Sequence, residues 1–235
     1  LASRATKYKN PDDFVKDIAT TYHGTPFSPT TRGGIKEFDI NKSGLSTRAK
    51  DAELGIFVTP DENFAGRFTY QVEQDWLTGA KKVTDGGTIT PTAILSNNIL
   101  DLGKLDKSVA TSLVESGLVG NKSIEDVVKL SKTIDGQKEL QEFIAGAYGD
   151  TGISMGERRS ILKELGYDVV KNKVRHDGKG NVEMIVIDPN AIMTKQQLTD
   201  LYNQATSPKT EGVAPKPAPV DETPGYFQSK EAKNR

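Results

Sequence analysis

Apolar residues recur along the chain in two rhythms, one helical and one alternating, and turn residues separate them. Phe14, Val15 and Ile18 fall on one side of a helix. Ahead of them, Asn10-Pro11-Asp12-Asp13 supplies a cap, a proline at the first helical position and two acids at the positive end of the dipole. A helix over 11–18 is therefore predicted. Thr20 to His23 reads as a short strand ended by Gly24, Pro26 and Pro29. Residues 26–53 read as a long loop with glycines at 33, 34 and 44, and they admit a short strand at Phe38-Asp39-Ile40. A connection of that length is uncommon unless it has a function. Gly55 to Thr59 is a second strand, and Phe64, Ala65, Phe68 and Val72 follow at helical spacing. Asp85-Gly86-Gly87 marks a turn before a strand over 88–95.

The pattern then turns helical. Asp106 caps a helix carrying Val109, Ala110, Leu113 and Val114, with Gly117 behind it. Ser123-Ile124-Glu125-Asp126 opens a second helix, and Glu139 to Tyr148 a third. Glu157 to Leu165 is a helix stopped by Gly166, and Tyr167-Asp168-Val169-Val170 begins a strand. The polar run His176 to Asn181 is a hairpin connection, and residues 182–187 return from it and end at Pro189. Thr194-Lys195-Gln196-Gln197 is a capping box for a last helix through Leu198, Leu201 and Tyr202. Strands, then helices, then strands predict an α+β fold rather than regular βαβ units. One domain is expected over 1–206, with a helical insertion at about 100–150. The proline-rich, apolar-poor residues 207–235 are expected to be a disordered tail or linker.

Composition narrows the chemistry. The 31 basic and 32 acidic residues are well mixed, with a net charge of −1. That argues against an extended nucleic-acid footprint, which needs a basic stripe, but leaves room for a local phosphate pocket. The absence of cysteine excludes disulfides, thiolate zinc sites and a thiol nucleophile. Two histidines far apart in sequence make a metal site unexpected. No apolar run reaches the ~20 residues of a membrane span, so no membrane is expected as a partner. Leu1 in place of an initiator Met fits a processed or excised piece of a longer protein and fits trimming equally well. Gly33-Gly34 and Gly178-Lys179-Gly180 match no phosphate-binding fingerprint, so kinase and dehydrogenase readings have no support. Asp101, Asp106 and Glu125 read as solvated or capping positions.

Three short motifs remain: Tyr22-His23-Gly24-Thr25, Gly55-Ile56-Phe57-Val58-Thr59 with Ala65 and Phe68 behind it, and Val182 to Pro189 with Glu183 near its start. Singly, each is ordinary: a histidine at a strand end, a core phenylalanine, the polar residue of an alternating strand. Together and in this order they resemble the His-Tyr-Glu class of ADP-ribosyltransferases, closest to the version in bacteriophage polyvalent proteins. Gly166-Tyr167-Asp168 and Ile187 to Ile192 add to the likeness, which spans about Tyr22 to Ile192.

The resemblance implies a split β-sheet core with flanking helices and a helical insertion. It implies NAD as substrate, no metal, and mono-ADP-ribosyl transfer to a host protein or nucleic acid. It further implies work in the virion or host cytoplasm, beside other parts of a larger phage polyprotein. By the same likeness, His23 bonds the adenosine ribose, with Thr25 adding a contact. Gly24 offers main-chain bonds to the nicotinamide amide, Phe57 and Phe68 clamp the nicotinamide ring, and Glu183 is the catalytic carboxylate. Phe57 stands where the family commonly has Tyr; it keeps the stacking face and loses the hydroxyl. The alternatives are a non-catalytic virion or interaction module that keeps the fold, and an NAD glycohydrolase.

Overall fold

The computed structural model describes residues 1–26, 35–43, 50–74, 81–84, 86–148, 152–176 and 178–207. The tail expected over 207–235 lies almost wholly outside them, as does most of the loop on either side of residues 35–43.

The fold is α+β. Two short helices, α1 (Ala2–Ala5) and α2 (Pro11–Ile18), lead into β1 (Thr21–Thr25). Asn10 caps α2 by accepting from the Asp13 N–H, with Pro11 at the first position, as the sequence predicts. After the long connection come β2 (Ile56–Val58), α3 (Glu62–Gly66), the hairpin β3 (Gln71–Gln74) and β4 (Lys81–Thr84), then β5 (Thr88–Ile94) and β6 (Ile99–Asp101). The insertion is α4 (Lys107–Glu115), α5 (Ile124–Ser131) and α6 (Ile134–Ile144). It is followed by α7 (Met155–Glu164), the long hairpin β7 (Val169–His176) and β8 (Lys179–Val186), then β9 (Ile192–Thr194) and α8 (Lys195–Thr206).

Two sheets organise the chain. One runs β1-β5-β9, antiparallel throughout; the other runs β2-β8-β7-β6, with β6 and β7 parallel. Pro91 sits in β5, the middle strand of the first sheet, where a missing N–H would normally break a ladder. It is tolerated because its partner Tyr22 directs its own N–H and C=O to Thr59, and because β9 pairs only from Thr92 onward.

The faces of the second sheet bury different partners. Val170 and Ile185 are opposite one another and pack with Leu113, Leu140, Ile144 and Leu162 of the helical insertion and α7. The opposite face carries Ile56, Val58, Val169 and Val186, with Phe38 and Ile40 of the long connection packed against it. A third cluster joins α1, α2 and α8 over β5, through Phe14, Ala93, Leu198 and Tyr202.

Polar groups inside the insertion are matched to the sheet. β6 stops opposite Lys171, and beyond it the Gln137 side chain accepts from the Lys173 N–H (2.9 Å). One turn on, Gln141 accepts from the Asn172 amide (2.7 Å). Arg158 of α7 is buried and donates to the carbonyls of Phe143 (3.0 Å), Ile144 (3.1 Å) and Ile153 (3.2 Å). It thereby places a cation at the negative end of α6.

Five expectations change. The strand expected to be ended by Gly24 runs on through Gly24 to Thr25, both paired with β5. The helix expected through Phe64 to Val72 ends at Gly66, and Val72 lies in β3. The strand admitted at Phe38-Asp39-Ile40 is instead an approach to one 3-10 turn, Ile40–Lys42, capped by Asp39. The third insertion helix is Ile134–Ile144 rather than Glu139 to Tyr148. The returning strand begins at Lys179, three residues before Val182.

Candidate functional site

The two sheets meet at β1 and β2 through one pair of residues. The Tyr22 N–H donates to the Thr59 carbonyl (2.7 Å) and the Thr59 N–H returns the bond to Tyr22 (3.0 Å). In an antiparallel ladder the next such exchange would join Gly24 to Phe57, two residues along each strand. Among the described residues that exchange is absent. The imidazole of His23 stands in its place, with Nδ1 2.6 Å from the Phe57 carbonyl oxygen. The strands part here, and the N–H and C=O of Gly24 face the gap, because alternate residues of a strand present their amides to the same edge.

The protonation of His23 follows from this bond. A carbonyl oxygen only accepts, so Nδ1 carries the proton and Nε2 keeps its lone pair. Nε2 has no hydrogen-bond partner among the described residues. Burial pushes the imidazole pKa below its ordinary value, and the bond to the Phe57 carbonyl opposes this only in part. The ring is therefore neutral at pH 7 and offers one acceptor.

The sign of the linked stability follows. Between the lowered folded pKa and the ordinary value of about 6.5, the unfolded chain binds more protons than the folded one, so stability falls as pH drops through that window. Chemical denaturation from pH 8 to 5 should show this acid limb in the parent, and a His23→Asn variant should flatten it. An identical limb in both would place the titrating group elsewhere.

Gly24 lies against α3. A Cβ built on it would sit 2.0 Å from the Ala65 carbonyl oxygen and 3.0 Å from the Phe68 Cβ. Phe68 lies just past the end of α3, in edge contact with Phe64 (centroids 5.4 Å apart), and is 46 % exposed. Tyr70, two residues on, is 45 % exposed. The uncovered Phe68 ring thus stands beside Gly24 of β1. Thr25 ends that strand, and its Oγ1 is buried without a hydrogen-bond partner.

Phe57 and Glu183 share a face. Phe57 pairs with Ile185, and Glu183 lies two residues from Ile185 on the same strand. Phe57 is half-buried and packs against the cluster of the helical insertion. Glu183 is 8 % exposed and stands directly opposite Asn172, the residue whose amide reaches Gln141 of α6.

Of the sequence-derived site residues, His23 therefore meets Phe57 through its carbonyl and Gly24 meets Phe68, whereas Glu183 lies on the Phe57 face, which packs against the helical insertion, and not on the face where Phe38 meets the His23 ring. The sequence reading missed Phe38, whose ring stands 5.1 Å from that of His23 at 82°, and Tyr70, Asn172 and Gln141. The Phe64-Phe68-Tyr70 spacing was the one available signal, since helical periodicity cannot carry Phe64, Phe68 and Tyr70 on one face together.

Among the described residues there is no group of three or more His, Asp or Glu side chains placed to hold a metal ion. Among the same residues no helix is long and apolar enough to cross a membrane. No known protein family, curated protein or solved structure matches the chain.

Proposed function

We propose that the protein is an NAD-dependent mono-ADP-ribosyltransferase of the His-Tyr-Glu kind, built on a split β-sheet and acting on a macromolecular acceptor of a bacterial host. The observation that carries this reading is the interrupted ladder at Gly24. A lone acceptor on His23 Nε2, an adjacent main-chain N–H and C=O facing a gap, and the exposed ring of Phe68 match what a ribose hydroxyl, a carboxamide and a nicotinamide ring require. The buried, unpartnered hydroxyl of Thr25 adds a further polar atom at the same strand end.

In this reaction the C1′–N bond to nicotinamide breaks, and its electron pair leaves with the neutral ring. Positive charge develops at the ribose carbon, as in glycoside cleavage. The acceptor's lone pair then closes on C1′ and the acceptor gives up a proton. Glu183 supplies negative charge beside the developing cation and polarises the acceptor, while His23, Gly24 and the aromatic rings hold the dinucleotide bent.

A second reading, a non-catalytic module that keeps the fold and binds a nucleotide, is favoured by one fact: Glu183 is only 8 % exposed. Incubation with NAD labelled in the adenylate half, with and without bacterial lysate, separates the readings. Label on protein or nucleic acid supports transfer, and free ADP-ribose alone identifies a glycohydrolase. Intact NAD that binds without turnover identifies the module, and neither binding nor turnover overturns the proposal.

A further inference from the structure

We infer that Phe38 is a positioning residue for His23, and that segment 35–40 is one wall of the site rather than a passive connection. The inference rests on the proposed role of His23 as a ligand acceptor.

The segment is fastened to the β1-β5-β9 sheet at successive points. The Ile35 N–H donates to Thr90 Oγ1 (3.1 Å), and Thr90 is the residue directly opposite His23 in the β1–β5 register. The Thr194 hydroxyl donates to the Lys36 carbonyl (2.6 Å) while accepting from the Gln197 N–H (3.3 Å), so one side chain both caps α8 and holds the segment. Between these anchors and the 3-10 turn capped by Asp39, Phe38 is set edge to face with His23, and Phe38 and Ile40 pack on the cluster of Ile56, Val58 and Val186.

Two contacts then define the imidazole. The bond from Nδ1 to the Phe57 carbonyl selects the tautomer, and by itself it does not stop the ring from swinging about its side-chain torsions out of bonding range. The Phe38 ring removes this freedom, so Nε2 points in a single direction before any ligand arrives. An acceptor held in this way needs less ordering on binding. A segment distant in sequence from β1 thereby tunes the nitrogen proposed to read the ribose.

The test uses the full chain with ¹⁵N-labelled histidine. The two histidines give separate side-chain signals, assigned with a His176→Gln variant. The parent is expected to show one fixed His23 pattern, protonated at Nδ1 and unprotonated at Nε2. In Phe38→Leu, which keeps an apolar side chain, the two His23 nitrogens are expected to move toward an averaged position. The KM for NAD should rise about 3- to 10-fold, the scale of one aromatic pair, with kcat within about twofold. Phe38→Tyr should restore both. A folded Phe38→Leu protein with the parent nitrogen pattern overturns the inference. If the parent turns over no NAD, the nitrogen signals still decide the positioning role, and the failure belongs to the transferase reading alone.

Discussion

Glu183→Gln is expected to lower the rate of ADP-ribose transfer about 10²- to 10³-fold, the usual worth of one preorganised electrostatic group at a developing charge. The substitution keeps the shape and removes the charge. Because positive charge at the ribose carbon exists only in the transition state, the loss should fall on kcat, with NAD affinity largely retained. Position on the sheet makes the experiment clean. Glu183 is buried on the face it shares with Phe57, opposite Asn172, so a carboxamide of equal size fits the same polar surroundings. Because the carboxamide keeps both the volume and the hydrogen-bonding capacity of the carboxylate, thermal stability is measured alongside the rate. Unchanged thermal stability with lost transfer therefore identifies a catalytic group, and transfer at the parental rate places the carboxylate elsewhere.

Local signals made much of the fold legible. Asn10-Pro11, Asp106, Ser123 and Thr194 all cap the helices the sequence assigned to them, because a cap is settled by residues within one turn. The hairpin of β7 and β8 was legible for the same reason, its turn residues and alternation being contiguous.

What failed depends on partners far along the chain. β6 is three residues long and exists because it lies parallel to Val169-Val170-Lys171, some seventy positions away. α6 starts at Ile134, ahead of the expected Glu139, and takes in Gly136. A Cβ there would stand 2.2 Å from the Leu130 carbonyl oxygen, so the close turn between α5 and α6 requires glycine. Thr133 caps that helix by accepting from the Gly136 N–H (3.0 Å). The helix after β2 stops early because Thr69 donates its hydroxyl to the Gly66 carbonyl (2.7 Å) and the chain goes on into β3.

The candidate site divides in the same way. Its residue types were visible as motifs. Their connection is not, because it runs through main chain. No pattern of side chains announces that His23 bonds the carbonyl of Phe57, or that the Gly24 amide faces the gap this leaves. Phe38 was equally hidden: its place beside His23 is set by hydroxyls of Thr90 and Thr194, which sequence alone cannot pair with residues 35 and 36.

Gly24→Ala is expected to destabilise the fold by on the order of 4 kcal/mol, a fall in Tm of about 8–16 °C for a chain of this size. The new Cβ would stand 2.0 Å from the Ala65 carbonyl oxygen, and that atom is main chain at the end of α3 rather than the tip of a movable side chain. It also accepts from the Phe68 N–H (3.0 Å), so pushing it away strains the turn that places the Phe68 ring. Relief by moving β1 instead would break the Tyr22–Thr59 pair that joins the two sheets. Either response disturbs the proposed nicotinamide clamp, so any surviving transfer should show a raised KM for NAD. Gly66→Ala is the control: its Cβ would meet only the Ile89 Cδ1 atom, at an ordinary 3.6 Å, at the end of the same helix. That variant should stay within about 0.5 kcal/mol of the parent, as surface changes away from such contacts usually do. Parental stability in Gly24→Ala would mean that β1 and α3 are not in contact at this point, and the placing of Phe68 beside Gly24 would fall with it.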